Sequence, residues 1–509
     1  RRRPTGSGHG GFFQAEDGIR DRSPSRGLGD VYKRQVMNLS KLNRERIAKV
    51  IKNGAILLHG NKIIYRNNDA NYQFRQFSEF HYLTEWPEPD AHAVILIKDS
   101  IPELHMFVLD KNEEMETWDG KRIGQQGAIE IYGAKKAYSN IEYKNELINL
   151  LKDQTDIYCD YSSNVFQEID QQALNLAVPY DQRGGNFSKA KLHSIQPILS
   201  ELRLIKQAAE VELLQKACDI SIQGHLAAMK FANPGKYEYQ VAAEMEKTFF
   251  HLGAERLGYN SIVAGGDNAC ILHYATNREE LEDGKLLLID AAAEFEMYSS
   301  DITRTFPING KYTPEQKAVY SEVLKAQNLG IEMVNTENTM QDIHKATIKS
   351  ISESLVNLKL VPHGIEDTIS MMHYFQFFMH GTGHWLGLDV HDAGSNESNN
   401  EPRKLSSGMV TTIEPGIYIR PSKPVINFPL LERDPEKIKI RRKELGMEEA
   451  TKLEQKETRE AKTVEHKIPE SLLGIGVRIE DNILCTEGDP INLTEALPRD
   501  IEEIENICS

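Results

Sequence analysis

The chain has 509 residues, of which 40% are hydrophobic, so it is long enough for two or three domains with cores of their own. Its formal net charge of -16 argues against nucleic-acid binding as a main activity, because a phosphate backbone is itself anionic. No apolar run approaches the roughly 20 residues that a membrane-spanning helix needs, so the sequence predicts no membrane partner.

Residues 1–36 do not resemble a sequence that folds. They are rich in Arg, Gly and Ser, and they show no periodic pattern of apolar residues. The run FFQAEDGIRDRSPSRGLGDVYKRQ resembles the translation of a sequencing adapter. A targeting peptide is the alternative, but the segment has no apolar core and it contains acidic residues. We expect 1–36 to be a non-native tail and Met37 to be the native start.

The next part of the chain, residues 37–200, is predicted to form a smaller α/β domain. Apolar residues at helical spacing alternate there with short β-favouring runs. The predicted elements, in chain order, are a helix over 39–52, strands over 55–59, 93–97 and 105–109, and a helix over 141–151.

Residues 201–509 are predicted to form a second domain. A long helix over Leu202–Ala228 marks its start, and a second helix is predicted over 239–252. The run SIVAGGDNACILHY then predicts a strand, a Gly-Gly turn and a second strand that carries His273. No Lys-Ser/Thr follows the two glycines and no GxGxxG is completed, so phosphate binding is not supported.

Two apolar runs, 286–289 and 302–306, flank a short polar stretch in a pattern typical of a hairpin. Asp290 ends the first run and Asp301 precedes the second. A carboxylate within an apolar strand costs several kcal/mol unless a cation compensates it. Two of them side by side would repel each other, and a divalent cation between them would turn this repulsion into a binding site.

Three later stretches supply further residues of the types that bind metals. FMHGTGHWLGLDVHD carries His380, His384 and His391, TTIEPGIY carries Glu414, and GIGVRIED carries Glu480. These motifs lie where predicted strands meet turns, which is a usual place for side chains directed into a cleft. The HGTGH spacing is similar to that of a helical zinc pair, but its two glycines argue against a helix.

Each of these residues has an ordinary alternative interpretation when it is taken alone. A strand-terminal acid is most often a turn former or a solvated end, and a lone histidine is more often structural than a ligand. Many residues of this type at successive strand ends of one chain nevertheless favour a common site. The sequence therefore predicts a divalent metal centre in the second domain.

Two long helices, over 313–333 and 340–358, are predicted between the aspartate and histidine motifs. The segment 431–467 mixes charges of both signs with good helix formers and few large apolar residues. We expect a solvated helical or mobile excursion there, with an oligomer or partner contact as the alternative.

Several of these motifs together resemble those of the pita-bread metallopeptidases, and within them the bacterial aminopeptidase P (Xaa-Pro aminopeptidase) family. They are NACILHY, LLLIDAAAEFEMYSSDITRTFPINGKYT, FFMHGTGHWLGLDVHDAG, GMVTTIEPGIYI and GIGVRIEDNILCT. YRNNDANYQFRQFSEFHYLTEWPEPDA also resembles the amino-terminal domain of that family. The resemblance implies an α/β (α+β) protein, with a pita-bread catalytic domain over 201–509 after an aminopeptidase P N-terminal domain over 37–200. The segment 431–467 departs from the family, which usually has a shorter connection there.

The resemblance implies a centre of two divalent ions, bridged by Asp301 and Glu480, with a hydroxide between the ions that attacks the carbonyl carbon before proline. Glu414 would also carry the proton from this nucleophile to the leaving nitrogen. Four carboxylates and one imidazole form a hard, oxygen-rich donor set that suits Mn²⁺ best, although Co²⁺, Fe²⁺ or Zn²⁺ would also bind. The implied ligands are Asp290, Asp301, His384, Glu414 and Glu480.

Five further residues match positions of the family that contact substrate. His391 would hydrogen-bond the substrate or the developing oxyanion, and His273 and His380 would shape the side of the site that holds proline. Arg478 would orient the substrate, with Tyr418 as its aromatic companion. The implied substrates are peptides with proline at the second position (Xaa-Pro-Yaa), and the implied assembly is a homo-oligomer, a dimer or tetramer.

Other functions share parts of this pattern. A dipeptide-only prolidase and a methionine aminopeptidase would have the same ligands, but the run His384–Gly387 and the matching amino-terminal domain favour the aminopeptidase. A binding module or a creatine-type hydrolase of the same fold would lack ligands that this chain retains. Five cysteines, scattered and odd in number, are typical of a reducing compartment, so we expect a cytoplasmic enzyme.

Overall fold

The structure is a computed structural model, which describes residues 39–160, 174 and 190–509. The expected non-native tail, 1–36, lies outside these residues. Residues 39–51 are helical, as predicted. No helix in the described ranges is long and apolar enough to cross a membrane.

A six-stranded mixed sheet organises the first part of the chain. Its strand Gly54–His59 runs antiparallel to His92–Lys98 and parallel to Asp156–Cys159. Apolar residues of Gly54–His59 are buried on both faces, as in a central strand that helices cover on each side. The strands in spatial order are Lys136–Ser139, Ile101–Val108, His92–Lys98, Gly54–His59, Asp156–Cys159 and Lys191–Ser194.

The predicted strands over 55–59 and 93–97 are confirmed, but the strand predicted over 105–109 begins earlier, at Ile101. Asp99 and Ser100 both adopt positive φ, as in a tight two-residue hairpin turn, so pairing with the preceding strand starts immediately. The remaining elements of this part are the hairpin Tyr65–Asn67 and Ala70–Asn71, the helices Ser78–Thr84, Glu113–Asp119, Gly124–Glu130 and Tyr143–Leu151, and the 3-10 turn Asn140–Glu142.

The prediction of one continuous helix over Leu202–Ala228 is wrong. The structure has two helices there, Gln196–Leu204 and Ala208–Phe231, separated by an extended connection. The backbone N–H of Lys206 donates to the carbonyl of Gly408, at 2.8 Å, instead of continuing the helix. The side chain of Glu210 then accepts from the N–H of Gln207, which starts the second helix.

Several short sheets surround the second core. Ile262–Gly265, Leu286–Asp290 and Thr303–Pro307 form one of them, and Val410–Ile413, Asp481–Leu484 and Ile491–Asn492 form another. The helices Glu238–His251, Pro314–Glu332 and Met340–Asn357 contribute Phe249, Val319 and Ile351 to the same buried cluster as strand residues such as Leu287. The predicted helices over 313–333 and 340–358 are confirmed, and Thr313 and Thr339 cap their N-termini. The remaining elements are the strands Gly416–Tyr418, Gly476–Arg478, Glu397–Ser398 and Glu401–Pro402, the helices Ile365–Ser370 and Ile501–Ile507, and the 3-10 turns His373–Gln376 and Glu470–Leu472.

The two aspartate strands pair antiparallel, with Asp290 opposite Thr303. They are not joined by a simple hairpin, because the polar stretch between them forms the strands Ala293–Phe295 and Tyr298–Ser299 of another sheet, which includes Arg256–Leu257. The prediction that His273 lies on a strand is wrong. The left-handed backbone of Gly266 (φ 54°) ends the preceding strand, the 3-10 helix Gly266–Cys270 follows, and His273 lies in the next turn.

The segment 431–467 contains two helices, Pro435–Leu445 and Met447–Glu460, so the expectation of helical structure is confirmed. The strand Thr463–Lys467 follows them and pairs with Val425–Pro429 to form a two-stranded ribbon. We did not predict this strand, because its partner lies more than thirty residues earlier in the chain.

Candidate metal centre

The four acidic residues proposed from the sequence converge at the ends of short strands. Asp290 ends the strand Leu286–Asp290, and Asp301 lies just before the strand Thr303–Pro307, which pairs with it. Glu414 follows the strand Val410–Ile413, and Glu480 precedes the strand Asp481–Leu484. A cavity of about 300 Å³ lies between these strand ends. Its lining includes Asp290, Asp301, His273, His380, His384, His391, Glu414, Arg478 and Glu480.

Three of these residues present their ligand atoms to one point. Asp301, His384 and Glu480 each have one ligand atom that lies within 4.8 Å of those of the other two residues. Nε2 of His384 lies 3.3 Å from Oδ2 of Asp301 and 3.6 Å from Oε1 of Glu414. Two carboxylates and an imidazole at such separations form a set that one divalent ion can join.

Asp290 lies beside this group and is connected to it by Tyr259. The Tyr259 hydroxyl is 2.5 Å from Oδ1 of Asp290 and 2.6 Å from Oδ1 of Asp301. The hydroxyl has only one hydrogen, so it donates to one carboxylate and accepts a hydrogen bond from the other, protonated carboxyl group, which reduces the repulsion between the two acids. The sequence analysis missed Tyr259; its only signal is its place just before Ile262, which pairs with Asp290.

A buried arginine offsets part of the negative charge. Nη2 of Arg478 lies 2.5 Å from Oδ2 of Asp290, and its Nη1 donates to the Tyr418 hydroxyl at 2.9 Å. Its Nε donates to the Thr303 hydroxyl, which in turn donates to Oε2 of Glu480 at 2.6 Å. Arg478 therefore orients two of the acidic residues, one directly and one through Thr303. Tyr418 lies behind the cavity, fully buried.

Three acidic residues of the cavity, Asp301, Glu414 and Glu480, resist ionisation. Burial raises the pKa of Glu414 to about 7, and the negative charge of Asp301 adds to this effect. Burial also raises the pKa values of Asp301 and Glu480 above their ordinary values, and neighbouring carboxylates contribute in both cases. Buried carboxylates whose charges are under-compensated are what a multivalent cation stabilises, so the chemistry of these donors fits divalent metal ions.

The two inner histidines differ in charge state because their neighbours differ. Burial disfavours the charged form of His384, but its hydrogen bond to Asp301 and the charge of Glu414 outweigh burial and raise its pKa to about 9. Burial and the charge of Arg478 lower the pKa of His380 to about 3. Nδ1 of His384 lies 3.0 Å from the Trp385 carbonyl, which can only accept, so Nδ1 is the donor and Nε2 faces the acids.

The neutral His380 belongs to a chain of hydrogen bonds. Its Nδ1 donates to the carbonyl of Gly381 at 2.8 Å, so its Nε2 accepts from the Tyr418 hydroxyl at 2.8 Å. That hydroxyl accepts from Arg478 in turn. Nδ1 of His380 is also 3.6 Å from Oε2 of Glu414.

The histidine segment is irregular, as its two glycines predict. An added Cβ at Gly383 would lie 1.9 Å from the Thr412 carbonyl, so no other residue fits there without a shift of the backbone. The N–H of His384 donates to the Thr412 hydroxyl, and the N–H of Glu414 donates to the carbonyl of Thr382 at 2.8 Å. These contacts place His384 and Glu414 next to each other.

Asn482 holds the backbone of Asp301, and two exposed histidines lie in the cavity lining. The Asn482 side chain accepts from the N–H of Asp301 at 3.0 Å and donates to its carbonyl, which fixes the backbone of Asp301; the sequence analysis missed this residue. His273 and His391 are exposed residues of the cavity lining, and the ring of His391 lies edge-on to that of His384, with centroids 4.2 Å apart.

Two family models and several known proteins are similar to the chain. A family model described as Metallopeptidase family M24 matches residues 212–487, and one described as Aminopeptidase P, N-terminal domain matches residues 41–158. The Xaa-Pro aminopeptidase of Haemophilus influenzae is 37% identical to the chain over 464 residues, which cover 91% of this chain and 95% of that protein. For the Xaa-Pro aminopeptidase of Escherichia coli the identity is 32%, over 89% of this chain and 92% of that protein.

Solved structures of similar proteins also match over nearly the whole chain. Aminopeptidase PepP of Pseudomonas aeruginosa has a TM-score of 0.80 at 33% identity, covering 93% of this chain and 98% of that one. Proline aminopeptidase P II from Yersinia pestis has a TM-score of 0.79 at 32% identity, covering 93% of this chain and 99% of that one.

Proposed function

The chain belongs to metallopeptidase family M24, and from this premise we propose that it is an Xaa-Pro aminopeptidase, which removes the first residue of peptides whose second residue is proline. The observation that carries the proposal is the convergence of four acids and His384 on one cavity, with Asp301 and Glu480 buried. The match of residues 41–158 to an aminopeptidase P N-terminal domain favours an aminopeptidase over a dipeptide-only prolidase.

We propose that Asp290, Asp301, His384, Glu414 and Glu480 hold two divalent metal ions. Their carboxylate-rich, hard donor set suits Mn²⁺, which is the metal that we propose. When bound, such ions lower the pKa of a bound water and polarise the carbonyl group under attack.

Glu414 is the proposed carrier of protons. Its carboxyl lines the cavity beside His384, with Oε1 3.6 Å from Nε2 of that histidine, where a general base can reach a water held by the ligands. The bond before proline is a tertiary amide, so its leaving nitrogen carries no hydrogen and must receive one as the bond breaks. The Glu414 carboxylate would take a proton from the attacking water and deliver it to this nitrogen.

The remaining residues of the cavity are proposed to hold the substrate. His391 and His273, exposed in the cavity lining, would contact the peptide; His391 would hydrogen-bond its carbonyl oxygen. His380 is neutral because burial lowers its pKa, so it would shape the proline side without adding charge. Arg478 would orient the substrate, with Tyr418 holding the arginine in place.

A side-by-side assay tests the function. The purified chain, freed of metal and titrated with Mn²⁺, should cleave Xaa-Pro-Yaa tripeptides, and Asp301→Ala should abolish this cleavage. Asp283→Ala, which removes an exposed aspartate, is the control and should keep full activity. Cleavage of Xaa-Pro dipeptides alone would establish the prolidase alternative, and cleavage that persists in Asp301→Ala would overturn the assignment.

Three broader properties complete the proposal. We propose a homo-oligomer, a dimer or tetramer, which sedimentation velocity would measure. The small, odd number of cysteines supports a cytoplasmic location. We propose domain limits at 37–200 and 201–509, with 431–467 as an insertion in the second domain and 1–36 as a non-native tail.

A further inference from the structure

We infer that His344 and Thr382 are positioning residues, whose mutual hydrogen bond holds the segment His380–His384 in the conformation that binds metal. Nδ1 of His344 lies 2.8 Å from the Thr382 hydroxyl. Neither residue lines the cavity, and neither was a candidate from the sequence. The inference rests on the proposed function, because it assumes that His384 is a metal ligand.

The histidine segment needs an anchor at its centre. Gly381 and Gly383 stand on either side of Thr382, and glycine loses more backbone freedom on ordering than any other residue. A Cβ at Gly381 would meet no atom closer than 3.8 Å, so packing does not fix the chain at that glycine. Thr382 is the one residue between the two histidines whose side chain can anchor the segment.

Thr382 connects the segment to two other parts of the site. It is buried, at 2% exposure, and its carbonyl accepts the N–H of Glu414 at 2.8 Å. Its hydroxyl faces His344. A shift of Thr382 would therefore move the backbone of Glu414 as well as the two neighbouring histidines.

His344 is suited to hold Thr382, because it lies on a rigid element. The helix Met340–Asn357 starts with a capping hydrogen bond at Thr339 and buries Ile343 and Ile351 in the core. The ring of His344 also lies near Phe378, with centroids 6.1 Å apart, and Phe378 packs edge-on against His380 at 4.9 Å. One helical side chain thus contacts the segment at Thr382 and supports it before His380.

The first test is Thr382→Val, which keeps the shape of the side chain and removes the hydroxyl. Mn²⁺ should bind the metal-free variant about 10-fold or more weakly than the wild type in titration calorimetry, a loss typical of residues that orient metal ligands. The melting temperature of the metal-free protein should stay close to that of the wild type. If the hydroxyl only stabilised the fold, Thr382→Val would instead lower the melting temperature and leave the affinity for Mn²⁺ unchanged.

The matched control is Thr347→Val on the same helix. Thr347 is fully buried, and its hydroxyl has no hydrogen-bond partner among the described residues, so the same substitution should leave Mn²⁺ affinity unchanged. Replacements of His344 test the other side of the bond. Asn can place its amide near the position of Nδ1, so His344→Asn should retain most of the affinity, while His344→Leu should lose as much as Thr382→Val.

The double variant decides whether the two residues act as a pair. His344→Leu with Thr382→Val should bind Mn²⁺ no more weakly than either single variant, because one bond is lost only once. Additive losses, or unchanged affinity in Thr382→Val, would overturn the inference. If the wild-type chain binds no Mn²⁺ or does not cleave Xaa-Pro-Yaa, the proposed function fails instead, so the two failures are distinguishable.

Discussion

Charge compensation decides the state of nearly every residue in the site. Among the residues that the structure describes, Arg478 is the only Arg or Lys in a cavity lining that includes four acids. The positive charge of His384 compensates a further part of the negative charge. Its attraction to Asp301 and Glu414 raises the pKa of this histidine, although burial alone would lower it. The acids that surround His384 thus hold a proton on its ring.

The raised pKa of His384 predicts how the stability of the metal-free protein depends on pH. A histidine with a folded-state pKa of about 9 and an ordinary value of 6.5 stabilises the fold fully below pH 6.5 and loses this contribution as the pH rises through 9. The raised pKa of Glu414 acts in the same direction up to about pH 7. We expect the free energy of unfolding in EDTA to fall between pH 7 and pH 9, by up to about 1.4 kcal/mol per pH unit.

Urea unfolding at several pH values measures this slope. His384→Gln should remove most of this slope, and His251→Gln, which alters an exposed histidine outside the cavity, should not. Stability that rises from pH 7 to pH 9 would contradict the assigned charge of His384.

Buried charge is also what made some residues predictable from the sequence. Asp290 and Asp301 border apolar strands where an uncompensated carboxylate is too costly, so they indicated a cation. Tyr259 and Asn482 gave no such signal, because a tyrosine before a strand and an asparagine within one have many ordinary uses. Their contacts with the aspartates depend on how distant strands pair, and no local pattern encodes that.

Secondary-structure elements were predictable where local signals determine them. The helices that follow Thr313 and Thr339 combine a capping residue with apolar periodicity, and both elements carry those signals within their own sequence. The break at Ile205–Gln207 and the strand Thr463–Lys467 depend instead on partners elsewhere in the chain. Tertiary contacts outweigh propensity in both cases.

The described residues of the helices Pro435–Leu445 and Met447–Glu460 contribute nothing to the lining of the metal-site cavity. Their buried side chains are few, chiefly Ala450 and Glu454, and a cavity of about 660 Å³ lies between them and Met371–Gln376. The ribbon formed by Val425–Pro429 and Thr463–Lys467 is already paired at the end where these helices begin and end. There the N–H of Leu430 donates to the carbonyl of Lys462 at 2.7 Å.

Replacement of residues 431–461 by Asn-Gly should therefore preserve the enzyme. This pair suits a two-residue hairpin turn between Leu430 and Lys462. We expect kcat/KM for an Xaa-Pro-Yaa peptide within about threefold of the wild type, in line with changes at surface positions. Lys439→Ala, which removes the contact of this segment with Glu397, is the comparison variant. A loss of tenfold or more would show that the segment 431–461 acts on the site.

The whole molecule depends on ionic contacts between the amino-terminal sheet region and the second core. Arg75 donates to Glu294 and to the carbonyl of Leu388, each at 2.6 Å. Arg203, at 2% exposure, binds Glu79 of the amino-terminal region at 3.1 Å, and also Asp389 and Asp392, on either side of His391. The two parts of the chain therefore meet close to the cavity.

Arg203→Met should destabilise the whole molecule by about 3 kcal/mol, because removing one partner of a buried ion pair leaves the other charge uncompensated. Lys206 remains 3.0 Å from Asp392, which keeps the loss at the lower end of the usual range. The midpoint of urea unfolding measures the effect. Lys452→Ala, which breaks an exposed pair with Glu448, should change stability by less than about 1 kcal/mol. Equal effects of the two variants would contradict this interpretation of the interface.

The hydroxyl of Tyr259, shared between Asp290 and Asp301, bears on the order of events in biosynthesis. A nascent chain that folds without metal already has a hydrogen bond where mutual repulsion would otherwise keep the strand ends apart. Maturation can then proceed in two separate stages, with folding first and uptake of the ion later. A cell starved of the ion would accumulate an intact, dormant precursor that supplementation activates without fresh synthesis.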